Sequence, residues 1–160
     1  ERRDVFLAEL IMAGEVMKEA TNVLKPYLTR QADRARDIVV LGTIEGDLHD
    51  IGKDIVATLL SSSGFEVRDL GIDVSTSRFV EEAQETRAKV IGISALLSTT
   101  VPRCKTVVEE LEKRTLRKKV KVIVGGAAVR EEYTVAFGVD AAVNDAIKGL
   151  EIIRKWTCKP

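Results

Sequence analysis

From Ile38 onward, short apolar runs alternate with helical patterns, and this alternation constrains the fold more than any other feature of the chain. The runs are Ile38 to Leu41, Glu66 to Leu70, Val90 to Ser94, Val120 to Val124 and Ala141 to Val143. Helical spacing covers about Gly52 to Ser62, Thr76 to Thr86, Val101 to Arg114, Arg130 to Phe137 and Asp145 to Trp156. Strands separated by a full helix do not close as hairpins; each crossover returns the chain in the same direction, so the strands run parallel.

Such strand and helix pairs in strict alternation predict an α/β fold, a doubly wound five-stranded parallel sheet of the flavodoxin-like (Rossmann-like) kind, with strand order 2-1-3-4-5. Ligands bind such sheets beyond the carboxyl ends of the strands, near the point where strand order reverses. Three segments fall at those ends: Thr43 to Asp50, Ser94 to Thr100, and Gly125 to Ala128.

Residues 1–36 read differently. Phe6, Leu10, Ala13, Met17, Ala20 and Leu24 recur at steps of four and three, which marks one face of a helix, and Leu7, Ile11, Met12, Val16 and Val23 widen it. Pro26 limits that helix, and the polar stretch TRQADRARD follows as a linker or short helix. So broad an apolar face needs a cover. A chain of 160 residues admits one ordinary domain and an appendage, so the expected units are 1–36 and 37–160.

Lys and Arg total 25, as do Asp and Glu, so a nucleic-acid or acidic-membrane partner has no electrostatic support. The densest basic stretch, Arg114 to Lys121, falls at a helix end and reads as a solvated cluster. Cys104 and Cys158 lie far apart without CxxC spacing, which fits a reducing, cytoplasmic setting. No apolar run approaches the roughly 20 residues of a membrane-spanning helix.

The one histidine, His49, stands between Asp47 and Asp50 in GDLHDIGK, at the first strand end. It has two readings. Asp47 or Asp50 can cap the helix that follows, with His49 a bystander. Alternatively, Asp47 accepts the proton of one imidazole nitrogen and leaves the other free for a metal. One histidine cannot close a zinc site, so such a metal must bring most of its own ligands, as a macrocycle does. At the second strand end, ISALLSTT reads as a strand terminus with Ser98 to Thr100 as a helix cap. At the third, Gly125, Gly126, Ala127 and Ala128 form a tight turn, or leave room for a bulky ligand.

The three segments together carry a resemblance. DLHDIG (Asp47 to Gly52), SAL (Ser94 to Leu96) and GG (Gly125, Gly126) resemble the cobalamin-binding signature DxHxxG, SxL, GG, with 41 and 28 residues between them. The stretch TIEGDLHDIGKDIVATLLSSSGFEVRDLGIDV is similar to the corrinoid proteins of methyltransferase systems and to the cobalamin module of methionine synthase. FLAELIMAGEVMKEATNVLKP resembles the end of the helical cap that precedes the cobalamin domain in those proteins.

The resemblance implies a cobalamin or related cobamide bound base-off, His-on: His49 is the lower axial cobalt ligand, and the cofactor's own nucleotide base is displaced. It implies that Asp47 hydrogen-bonds the distal imidazole nitrogen and that Ser94 extends this contact. The displaced tail enters a channel lined by Leu96, Ser98 and Thr99, with Gly52, Gly125, Gly126 and Ala127 leaving it space; Leu48, Asp50 and Ile51 complete the loop around His49. The implied role is that of a non-catalytic methyl carrier. A donor-specific methyltransferase loads it, an acceptor methyltransferase (tetrahydrofolate or a thiol cofactor) unloads it, and a reductive activator restores it. The alternative is the cobalamin-binding subunit of a carbon-skeleton mutase, which shares DxHxxG.

Overall fold

The computed structural model describes residues 37–157 and, before them, Met12, Val16, Glu19, Ala20, Asn22 and Val23, which are helical. The expected helix face of Phe6, Leu10, Ala13, Met17 and Leu24 lies outside the described residues, as does Cys158. Met12, Val16 and Val23, which widen that face, are exposed.

The strands are β1 (Ile38–Thr43), β2 (Glu66–Asp69), β3 (Val90–Ser94), β4 (Lys121–Gly125) and β5 (Ala141–Val143). All pairings are parallel and the order is β2-β1-β3-β4-β5, as the alternation predicts. The three inner strands, IVVLGT, VIGIS and KVIVG, are nearly continuous apolar runs because helices cover both of their faces. Edge strand β2 reads EVRD, and its charges suit an edge that meets water.

The helices are α1 (Ile51–Ser62), α2 (Thr76–Thr86), α3 (Cys104–Lys113), α4 (Tyr133–Phe137) and α5 (Ala146–Thr157). The helix expected from Val101 to Arg114 is split: Val101–Arg103 is a 3-10 turn, with Pro102 in the first-turn position where its missing N–H costs nothing. The helix expected from Arg130 begins only at Tyr133, after a turn in which Tyr133 N–H donates to the Arg130 carbonyl at 3.1 Å. Tyr133 then stacks on Phe137, with ring centroids 4.8 Å apart, and Trp156 packs beside the second core with Lys121 Nζ 6.0 Å from its ring centre. Both aromatics thus serve packing.

The two faces of the sheet are filled unequally. Under α2, α3 and α4 lies the larger core, with Val40, Ile44, Phe79, Val80, Ile91, Ile93, Val107 and Leu111 fully buried. Under α1 and α5 lies a smaller one, built on Val39, Leu60, Phe65, Val90, Leu150 and Ile153. Register places Leu41, Gly92 and Ile123 side by side on the second face, with Ser94 and Gly125 one pleat nearer the carboxyl ends. The basic stretch at Arg114 to Lys121 is partly paired within the fold: Arg114 with Glu110, and Arg117 and Lys121 with Asp140.

Candidate functional site

The site begins where β1 ends. The turn after Thr43 is tied down by Ile44 N–H on the Ser94 carbonyl (3.0 Å), Asp47 N–H on the Ile44 carbonyl (3.0 Å) and Gly46 N–H on Asp73 Oδ1 (2.7 Å). Gly46 sits at φ 86°, where a side chain would be strained. This turn drives the Asp47 side chain into the protein, with 0% of its surface exposed.

Asp47 collects five donors. Oδ1 accepts the His49 backbone N–H (3.1 Å) and stands 2.7 Å from His49 Nδ1. Oδ2 accepts the Leu96 and Leu97 N–H groups (2.7 and 3.2 Å) and the Thr100 hydroxyl (3.1 Å). Burial by itself pushes the carboxyl pKa upward. The bonds from the His49 ring and backbone, and from Leu96 and Leu97, outweigh it and bring the pKa down to about 2. The group is a carboxylate at any ordinary pH, so the proton of the pair resides on Nδ1, and in the neutral ring the lone pair is on Nε2. The His49 side chain is 53% exposed, and its carbonyl accepts the Thr43 hydroxyl at 3.0 Å. Backbone N–H, backbone carbonyl and Nδ1 are therefore all anchored, while about half of the side chain stays exposed.

The expected contact from Ser94 is absent from this carboxylate. Ser94 shares its face of β3 with Val90 and Gly92 and lines the channel, whereas the hydroxyl that reaches Asp47 is that of Thr100, from the loop beyond. Asp50 is the residue before α1, but its side chain does not cap the helix. The helix-cap reading of the DxHD stretch thus gives way to the imidazole-orienting one.

Below the His49 rim a channel of about 490 Å³ opens between the sheet and helices α1 and α5. Leu48, His49, Asp50, Ile51, Gly52, Ser94, Leu96, Gly125 and Gly126 line it, which gathers most of the residues singled out from sequence. Gly52 has nothing within 4 Å of an added Cβ, and Gly125 only a carbonyl at 3.8 Å, so both leave open space. Gly126 has a different reason to be glycine. At φ 144° its Cβ would lie 2.0 Å from the Ala95 carbonyl oxygen, a backbone crossing rather than a ligand requirement. Ser98 and Thr99 are exposed in the turn after Leu97 and do not line the channel: Asp47 holds Leu96 and Leu97 by their N–H groups, and the hydroxyls beyond them face solvent. Ala127 is exposed as well.

Sequence reasoning did not single out Gly92, Gly149, Lys53 or the Asn144–Ala146 wall, all of which border the channel. A glycine inside an apolar strand (Gly92) and another inside a helix (Gly149) were the available signals, since each forgoes packing or helix propensity. Lys53 is 4% exposed, with Nζ 2.6 Å from both Asp54 and Asp69. Burial lowers its pKa, but the two carboxylates raise it by more, so the amine stays charged and ties α1 to the end of β2.

An oriented imidazole at the switch point of a doubly wound sheet, above a deep and mostly apolar channel, suits a bulky cofactor whose metal takes a single protein nitrogen. Residues 38–149 match the B12-binding domain, and the chain belongs to that family as a cobalamin-binding, corrinoid-type protein. It is 43% identical over 147 residues to dimethylamine corrinoid protein 3 of Methanosarcina mazei, covering 91% of this chain and 88% of that one. The solved monomethylamine corrinoid protein of Methanosarcina barkeri superposes with a TM-score of 0.83 at 33% identity, covering 95% of this chain and 72% of the other. A chain in the methanol:cobalamin methyltransferase complex from Methanosarcina barkeri superposes with a TM-score of 0.72 at 28% identity, covering 94% and 57%. The residues present fit the cofactor: one accessible nitrogen donor, an apolar rim, and a channel kept open by Gly52 and Gly125. Among the described residues no helix is long and apolar enough to cross a membrane.

Proposed function

We propose that this protein holds its corrinoid base-off and His-on, with His49 as the lower axial ligand, and presents it in turn to two methyltransferases. The observation that carries the reading is the 2.7 Å pairing of His49 Nδ1 with the buried Asp47 carboxylate at the mouth of the channel, which leaves Nε2 as the ring's only donor lone pair. When bound, the corrinoid supplies a cobalt centre that takes up a methyl group and gives it up. Asp47 keeps the proton on Nδ1 and makes the imidazole a stronger donor. Thr43 and the Asp47 bond to the His49 N–H hold the loop, so the ring needs no reorganisation to bind. Leu48, Ile51 and Leu96 present an apolar rim, and Gly52, Ser94 and Gly125 would line the entry of the nucleotide tail into the channel.

In this reading a donor-specific methyltransferase loads the carrier. An acceptor methyltransferase working on tetrahydrofolate or a thiol cofactor unloads it, and a reductive activator restores it. The names of the relatives favour a methylamine as donor. Residues 1–36 form the end of a helical cap followed by a linker, a reading supported by the exposed apolar side chains of Met12, Val16 and Val23.

The sole histidine makes the test clean. Electron paramagnetic resonance of the cobalt(II) holoprotein should show coupling to one nitrogen whose pattern changes when the protein, but not the cofactor, is labelled with 15N-histidine. The His49→Ala variant should lose that coupling. Coupling indifferent to protein labelling would show the cofactor's own base on the metal and refute the proposal.

A further inference from the structure

The channel that receives the tail has two unlike levels. Its mouth carries polar groups, Ser94, Asn144 and Asp145 among them. One pleat deeper, about 7 Å along the strands, the sheet presents Leu41, Gly92 and Ile123, and the helices close over them with Val56 and Ile153. The backbone of this level is engaged in the ladders of β1, β3 and β4, so it has few free donors or acceptors for a ligand. The charged end of Lys53 is taken by Asp54 and Asp69. Gly92 has no side chain, and the side chains of Leu41 and Ile123 lean over it from either side. An added Cβ there would lie 2.8 Å from Leu41 Cδ1, so alanine would force the Leu41 side chain to shift and would reshape the floor.

We propose that this floor selects the cobamide by its lower base, accepting benzimidazole and phenol-type bases and discriminating against purines. The inference rests on the base-off reading above. A purine carries an exocyclic amine and additional ring nitrogens, which lose water on entering a level with almost nothing to replace it. A benzimidazole brings fewer polar atoms, and a phenol-type base fewer still. An unsatisfied polar group of this kind weakens binding by about tenfold or more. The cost of freeing the base from cobalt works the other way, because adenine is the weaker donor and leaves more easily; a lower affinity for the purine form therefore reports the channel.

The test is titration of the full chain, free of cofactor, with dimethylbenzimidazolyl, cresolyl and adeninyl cobamides, and with cobinamide, which lacks the nucleotide tail. Adeninyl cobamide should bind about tenfold or more weakly than dimethylbenzimidazolyl cobamide, and cresolyl cobamide, which has no base nitrogen to free from cobalt, at least as tightly as the latter. Gly92→Ala should bring the two favoured forms down toward cobinamide, whose own affinity should hold. Val56→Thr, which puts a hydroxyl on the floor at nearly constant volume, should narrow the gap between adenine and benzimidazole. Equal affinity of adeninyl and dimethylbenzimidazolyl cobamide, both above cobinamide, overturns the selectivity while leaving the tail in the channel. If no cobamide exceeds cobinamide and Gly92→Ala changes nothing, the tail does not enter, and the base-off reading fails together with this inference.

Discussion

Asp47→Asn tests the centre of the site without the cofactor. In the wild type the carboxyl pKa falls from its ordinary 3.8 to about 2, and the side chain is fully buried, so solvent screening does not discount the effect. A depression of that size corresponds to about 2 kcal/mol of folding free energy carried by the charged form. The sign follows from the lowered pKa: the contribution is complete above 3.8 and is lost as pH falls from there toward 2. An asparagine must also turn its NH₂ toward either the His49 donors or the Leu96, Leu97 and Thr100 donors, so donor faces donor and about 2 kcal/mol is a lower bound. Urea unfolding of the two apoproteins between pH 3 and 8 should show the variant less stable by about 2 kcal/mol or more at pH 7, with the gap closing below about pH 4. In nitrogen-resolved NMR the wild-type ring should appear as the Nδ1–H tautomer, and the variant should lose that preference. A gap under about 0.5 kcal/mol at pH 7, or one that widens on acidification, would show that Asp47 is not the charged hub that its five donors imply.

Thr100→Val should cost about 1 kcal/mol in the same unfolding experiment, because one hydrogen bond to a buried carboxylate is lost, while Thr100→Ser should recover most of it. The Cys104 thiol is buried within the larger core and its pKa is pushed up to about 12, chiefly by burial. Iodoacetamide at pH 8 should leave it unmodified in the native protein and label it on unfolding, as read by peptide mass spectrometry. Gly52→Ala should stabilise the apoprotein by about 0.5–1 kcal/mol, since it adds helix propensity where nothing stands within 4 Å. The same methyl intrudes on the channel rim, so corrinoid affinity should fall as stability rises.

The fold was legible because its signal is repetitive. Parallel strands buried on both faces must be apolar throughout, and β3 and β5 start and stop where their apolar runs do. The errors fall where local geometry outweighs pattern. Pro102 sits in a helical period but turns the chain through a 3-10 step, and Arg130 to Glu132 precede α4 as a turn. At the site, the pairing of Asp47 with His49 was readable because the two residues stand two apart in one loop. Thr100 was not readable as the partner of Asp47, because what brings it there is the fold of the Leu96–Thr100 turn, 49 to 53 residues away in sequence. The channel floor was hidden for a related reason: Leu41, Gly92 and Ile123 become neighbours only through strand register.

The unequal filling of the two faces accounts for how one small sheet can be both stable and hollow. Most of the largest fully buried side chains, Phe79, Ile91, Ile93 and Leu111 among them, lie under α2, α3 and α4, where Gly42 is glycine because a Cβ would meet the Phe79 ring at 2.9 Å. That face is packed to contact. On the other, Gly52 and Gly125 leave open space, and α1 and α5 meet the smaller core chiefly through residues such as Leu60 and Ile153. A void lined by aliphatic groups forfeits their dispersion contacts, so the channel face is intrinsically the weaker one. Binding energy from an apolar occupant can be recovered there without disturbing the other core. Asp47 joins the two requirements, because the same buried carboxylate that clamps the β1 and β3 loops also orients the imidazole above the opening. The histidine is therefore positioned by interactions that hold the apoprotein together, and its orientation does not depend on the channel being filled.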